Sequence, residues 1–170
     1  MRCVLYVSLA VVSSCAGSRA GLAPEAKNLR EQALIVVRAL ATEDHQTVVE
    51  HSHPALLDAH GGPEHYAAEL ADRAAANRRS GITCDEPVEV YDPMILSGAG
   101  EMRYSLVAYR VTTQFPQHTA GMGPTDYLVA VSSDGGTTWQ FLDRLGIGGD
   151  EKRLRALLPG VPDDFRLPSK

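Results

Sequence analysis

Between residues 24 and 79 apolar positions recur at helical spacing, and from residue 82 onward they alternate. Leu29, Ala33, Leu34, Val37 and Leu40 fall on one stripe, with Glu, Lys and Arg elsewhere, so the spacing predicts a helix from Pro24 to about Thr42. Pro24 suits a first turn, where no partner for its missing N–H is needed. A short helix over Glu43 to His51 follows, with Val48 and Val49 inward. The chain restarts at His53-Pro54, because proline cannot continue a helix but can open one. Leu56 and Leu57 belong to that turn, and Gly61-Gly62 stops it. Pro63 to Arg79 reads as a further long helix, with Tyr66, Leu70 and Ala74 at helical spacing and Gly81 past its end.

After Gly81 the period changes. Ile82 to Tyr91 alternates loosely, and Pro93 confines it to a strand end or an edge. Met94 to Leu96 is a short apolar run before a Gly-Ala-Gly turn. Met102 to Phe115 is the clearest strand. It sets Met102, Tyr104, Leu106 and Ala108 on one face and Val107, Tyr109, Val111, Thr113 and Phe115 on the other. Its length implies a bent strand in a curved sheet. Thr125 to Ser132 and Thr138 to Asp143 form the last two strands, joined by a hairpin at Ser133-Asp134-Gly135-Gly136-Thr137. A helical turn over Asp150 to Leu158 leads into a Pro-rich tail. Helices first and strands after is the order of an α+β fold, with helices packed on an antiparallel sheet.

The first residues do not belong to this pattern. Arg2 precedes an apolar stretch from Val4 to Val12, and the small residues Ser13, Ser14, Cys15, Ala16 and Gly17 follow. That is the layout of a secretory signal, and the stretch is too short to span a bilayer. The exit has two readings. Val12-Ser13-Ser14-Cys15 resembles a bacterial lipobox, in which Cys15 takes a lipid and becomes the first mature residue. Ser14-Cys15-Ala16 instead offers small residues to an ordinary signal peptidase, which would leave the protein soluble in the periplasm or secreted. The first reading divides the chain into a signal at 1–14, a flexible tether at 15–23 and one domain at 24–170.

Length, charge and cysteine usage narrow the partners. The 170 residues favour one domain, and 44% hydrophobic with 22% charged residues is an ordinary globular balance. The formal net charge of −5 becomes about −6 once Arg2 leaves, which argues against nucleic acid and against electrostatic adhesion to anionic lipid. No later run is long enough to span a membrane, so attachment would come from the lipid on Cys15 alone. Of the three cysteines, Cys3 leaves with the signal and Cys15 is spoken for. Cys84 has no internal partner and reads as a small buried hydrophobe.

Candidate chemistry is sparse. Six histidines are present, and His51-x-His53 with His60-x4-His65 invites a metal reading. No HExxH or paired His/Cys pattern supports it, and helix residues two apart face different ways, so helix-junction or capping roles are expected, with no metal and no cofactor. Ser132 to Trp139 (SSDGGTTW) matches the Asp-box of sialidases and related propellers, where it is a repeated hairpin turn. One copy in a short chain reads as a turn, with Asp134 accepting backbone N–H bonds and Trp139 packing.

The element order resembles the NTF2-like, cystatin-related cone. His53-Pro54 followed by Gly61-Gly62 and a helix is similar to the inter-helix segment of an uncharacterised bacterial NTF2-like family (SnoaL-like). Leu128 to Asp143 (LVAVSSDGGTTWQFLD) is similar to its last hairpin, and Leu154 to Pro168, with Leu158-Pro159 and Leu167-Pro168, to its C-terminal segment. These motifs are turns and packing residues, so they speak to fold more than to chemistry. The resemblance implies a strongly curved sheet and a cone that holds a small apolar ligand, and it implies pairing of two copies through the open sheet face. Some relatives are isomerases or dehydratases that place Asp, His or Tyr in the cone. Here the candidate lining is Tyr66, Tyr104, Arg110 and Tyr127. No Asp or His stands mid-strand, so these are expected as core and rim residues with no catalytic residue assigned. The reading is an exported, lipid-anchored envelope protein that binds a small ligand or a partner, with a small isomerase, dehydratase or hydrolase as the alternative.

Changing Cys15 to Ser is expected to abolish palmitate labelling and to move the protein out of the membrane fraction. Unchanged fractionation in that variant would sink the anchor.

Overall fold

A computed structural model describes the backbone of residues 22–115, 118–122 and 125–168, and their side chains except at 85–87, 115 and 118–122. The signal segment, Cys15 and the tether as far as residue 21 lie outside these residues. The chain runs α1 (Pro24–Ala41), α2 (His45–Glu50), α3 (Pro54–Ala59), α4 (Pro63–Arg79), β1 (Thr83–Val90), β2 (Met94–Ser97), β3 (Arg103–Phe115), β4 (His118–Met122), β5 (Asp126–Ser132), β6 (Gln140–Asp143) and α5 (Glu151–Leu157). The helices fall where the apolar stripe and the prolines place them. Strand β4 was not expected, because His-Thr-Ala-Gly-Met carries no alternation; its pairing to β3 creates it.

Each short helix has its own cap. Asp44 accepts from Thr47 N at 3.2 Å at the start of α2, and Asp150 accepts from Lys152 N at 2.9 Å at the start of α5. His53 caps α3 by accepting from Ala55 N at its Nδ1, 3.2 Å away. Burial holds the His53 pKa below its ordinary value, which keeps that nitrogen an unprotonated acceptor.

The sheet is antiparallel throughout and centred on β3. Strands β1 and β2 pair with one of its edges, β4 and β5 with the other, and β6 lies outside β5. The register shifts between Asp85 and Val88 in β1, and between Thr113 and Phe115 where β3 meets β4. Such bulges bend and twist a strand, and the sheet is strongly curved into a half-barrel preceded by helices, consistent with an NTF2-like cone. The outer edge of β6 is closed by the α2–α3 link. Phe141 N donates to His51 O at 2.8 Å and His53 N to Phe141 O at 2.9 Å, a single parallel bridge at Ser52.

Strand alternation sorts the core into two faces. Val90, Val107, Tyr109, Leu128, Ala130 and Phe141 pack with Leu29, Ala33, Val36 and Val37 of α1. Tyr104, Tyr127, Val129, Val131 and Leu142 point the other way and join Leu154, Leu158, Val161 and Phe165. The face expected to stay open is therefore occupied, over these residues, by the chain's own C-terminal segment.

The β5–β6 hairpin is organised by Asp134. Its Oδ1 accepts from Thr137 N at 3.1 Å, Thr138 N at 2.9 Å and Ser132 Oγ at 2.7 Å. Gly135 and Gly136, at φ 71 and 96, turn the chain through a region that side chains disfavour. Trp139 Nε1 closes the loop onto Gly136 O at 3.0 Å. Asn28 Nδ2 donates to Gly136 O at 2.8 Å and Gln32 Oε1 accepts from Trp139 N at 3.0 Å, which fastens α1 to the hairpin.

The hydroxyls and N–H groups around Asp134 hold its carboxyl well below the usual carboxylate range. A depressed folded pKa stabilises the fold above the unfolded value, near pH 4, and that contribution is lost as pH falls through the folded value. The melting temperatures of wild type and Asp134→Ala should accordingly be furthest apart at neutral pH and converge in acid. A gap that is independent of pH would refute the assignment.

Candidate functional site

On α4, Tyr66, Leu70 and Arg73 follow at helical spacing and share one face, which is turned toward the end of β6. That strand ends in Asp143, paired with Leu128 across the sheet and only 6% exposed. A buried carboxylate must be hydrogen-bonded or paired. Tyr66 donates its hydroxyl to Asp143 Oδ1 at 2.7 Å, and Gly146 N donates to the same oxygen at 2.6 Å. Arg73 Nη2 stands 3.8 Å from Asp143 Oδ2, too far for a hydrogen bond, and the guanidinium lies 6.0 Å from the Tyr66 ring centre. Arg73 Nε and Nη2 are buried without a hydrogen-bond partner. Burial first, then the Asp143 charge, push the Tyr66 phenol far above its ordinary range, so it remains a donor.

A second layer supports the first. His60 sits 4.9 Å from the Tyr66 ring, with Nδ1 2.8 Å from Glu69 and Nε2 3.1 Å from Gly146 O and 3.0 Å from Arg153. Gly146 is required for close approach: a Cβ there would run into Asp143 Oδ1 and lie 2.9 Å from the Tyr66 hydroxyl and from Leu56.

Beside this cluster lies a cavity of about 330 Å³ between the C-terminal part of α1, α4 and the sheet. Leu40, Leu70, Ala74, Ile82 and Val111 form its apolar wall. Arg73, Asp143, Tyr109, Asp126 and Arg144 gather among its polar residues, with His45, Asn77 and Thr113. Asp126 faces Tyr109 across the β3–β5 pairing, accepts from Tyr127 N at 2.9 Å and lies 3.7 Å from Arg144 Nη1. Burial, then the charges of Asp126 and Asp143, raise the Tyr109 phenol well above its usual value. Cys84 is a free thiol on the same wall, partly exposed rather than buried as its sequence context implies.

Of the four residues expected to line a pocket, Tyr66, Tyr104 and Tyr127 belong to one buried hydrophobic cluster. Tyr66 is fully buried behind Arg73 and Asp143. Tyr104 and Tyr127 lie on the opposite sheet face. There a Cβ on Gly160 would come within 2.9 Å of the Tyr104 hydroxyl, and one on Gly149 within 3.8 Å of the Tyr127 hydroxyl. Arg110 donates to Thr125 Oγ1 at 2.8 Å on that same face, paired with Glu89 in the β1–β3 register. None of the four lines the cavity; Tyr109, from the other side of β3, does. Alternation separates Tyr104 from Tyr109 but does not say which face is concave. Asp143 and Arg73 went unnoticed because one ends a strand and the other looks like a surface charge. Their signals are the lone Asp closing an apolar strand and the seven-residue spacing from Tyr66.

Three of the histidines hold helix junctions. His51 and His65 donate from Nδ1 to Thr47 O and Gly61 O, each at 2.9 Å, beside the His53 cap. Among the described residues no group of three or more His, Cys, Asp or Glu is placed to hold a metal ion. Comparison with known proteins finds no family model and no curated protein that matches this chain.

Replacing Tyr66 by Phe leaves Asp143 with one donor fewer in a dry setting and should cost about 1.5–3 kcal/mol in urea unfolding. The Tyr104 hydroxyl has no hydrogen-bond partner among the described residues, so Tyr104→Phe should cost much less. Equal losses would contradict the central role of Asp143.

Proposed function

We propose that the chain is an exported binding module, held at a bacterial envelope membrane by a lipid on Cys15, whose cavity takes a small and mainly apolar molecule. One observation carries the binding reading: the cavity of about 330 Å³ falls in the size range of ligand pockets, which begin at roughly 300 Å³, with polar groups gathered on an apolar wall. Export is supported by Arg2, the Val4–Val12 stretch and the small residues up to Gly17. Membership of an NTF2-like family is supported by the curled sheet with preceding helices and by the motifs at His53-Pro54 and Leu128 to Asp143. Two copies pairing across the outer sheet face would meet beside the C-terminal segment that covers Tyr104 and Tyr127.

The second reading, a small isomerase, dehydratase or hydrolase, is favoured by one specific feature. Asp143 Oδ2 accepts no hydrogen bond among the described residues and belongs to a residue of the cavity wall. Its other oxygen takes two donors, so much of this carboxylate's capacity already serves the fold.

Native mass spectrometry of the purified full chain should show a small molecule bound to wild type and missing from Ala74→Trp, which fills the cavity. A bare wild-type mass, together with no fluorescence gain from an apolar naphthalene dye, would overturn the binding reading. A co-purified molecule converted by wild type but not by Asp143→Asn would favour the enzyme.

A further inference from the structure

The charged groups of the cavity are balanced. Arg73 stands 3.8 Å from Asp143, and Arg144 stands 3.7 Å from Asp126. Each guanidinium has a carboxylate within 4 Å, and the four charges sum to zero. A ligand carboxylate drawn to Arg73 would be repelled by Asp143, and an ammonium drawn to Asp143 would be repelled by Arg73. Either would also lose its hydration against a wall with no net opposite charge. A neutral dipole meets neither penalty.

The unfilled hydrogen-bonding positions are of two kinds. Asp143 Oδ1 is taken by Tyr66 and Gly146, while Oδ2 accepts no hydrogen bond among the described residues. The Tyr109 hydroxyl has no partner among the described residues and stays protonated because burial and nearby carboxylates raise its pKa. The strand register puts Tyr109, Asp126 and Asp143 on the same sheet face, and all three line the cavity. One acceptor, Asp143 Oδ2, and two sets of donors, the Tyr109 hydroxyl and the unpaired Arg73 Nε and Nη2, therefore stand beside an apolar wall made by Leu40, Leu70, Ile82 and Val111.

We propose that the cavity selects an uncharged amphipathic molecule whose polar end is both donor and acceptor, a carboxamide or lactam on an apolar body. Its N–H donates to Asp143 Oδ2, its carbonyl accepts from Tyr109, and its body lies against the apolar wall. This inference rests on the cavity being a ligand site.

Four probes of similar shape separate the charge types: benzamide, benzoate, benzylamine and toluene. The readout on the full chain is the rate at which methyl methanethiosulfonate modifies Cys84, followed by the mass of the Cys84 peptide. Benzamide should protect Cys84 at a concentration roughly tenfold below that needed of benzoate or benzylamine, and Tyr109→Phe should cut its advantage over toluene. Protection by benzoate or benzylamine at equal or lower concentration would overturn the selection of a neutral amide. So would toluene matching benzamide, although the cavity would then still be a binding site. No protection by any probe would overturn the ligand site itself. The ranking on wild type needs no variant, so a misfolded Tyr109→Phe would not rescue the idea.

Discussion

A single carboxylate fixes the geometry around it. Asp143 is nearly sealed from water, and an ion in that setting is tolerated only with partners. Those partners come from two places in the chain, apart from the strand that carries Asp143 itself. Tyr66 and Arg73 belong to α4, Gly146 to the loop after β6, and Asp143 itself to the last strand. The bonds therefore fix the rotation and height of α4 against the sheet, the path of the loop, and one wall of the cavity. They also explain why α4 carries Arg73 on a face otherwise given to Tyr66 and Leu70. The same residues that satisfy the charge limit what remains free for chemistry.

The sheet is clad on both sides, which is unlike a cone with an open back. Arg155 does much to hold the outer layer. Its Nη2 donates to Glu151 Oε1 and to Phe165 O, each at 3.0 Å, tying α5 to the tail that follows it. Phe165 and Val161 are thereby kept against Tyr104, Val129 and Leu142. At the β6 edge the bridge at Ser52 removes the unpaired backbone that would otherwise invite another strand. The outer edge of β2 is less protected, and Met94 there is 73% exposed.

Much of the fold was legible because its determinants are local. The stripe Leu29, Ala33, Val37, the prolines at 24, 54 and 63, and the Asp134 turn each specify structure within a few residues. Strand β4 was not legible, since its pairing comes from β3 rather than from its own sequence. The site was least legible for the same reason. Tyr104 and Tyr109 look alike along the chain, and only the curvature of the sheet makes one concave. Asp143 meets Tyr66 across 77 residues and Arg73 across 70, a convergence that no local pattern encodes.

The direction of α1 has a consequence for how an anchored molecule would meet its surroundings. Its first turns are fastened to the Asp134 hairpin through Asn28, while Leu40 and Ala41 at its other end border the cavity. At 1.5 Å per residue, its 18 residues separate those two ends by about 27 Å. The chain leading back to Cys15 leaves from the hairpin end. With the proposed lipid on Cys15, the flexible tether joins the domain at its hairpin end, and the cavity lies the length of α1 away from that attachment.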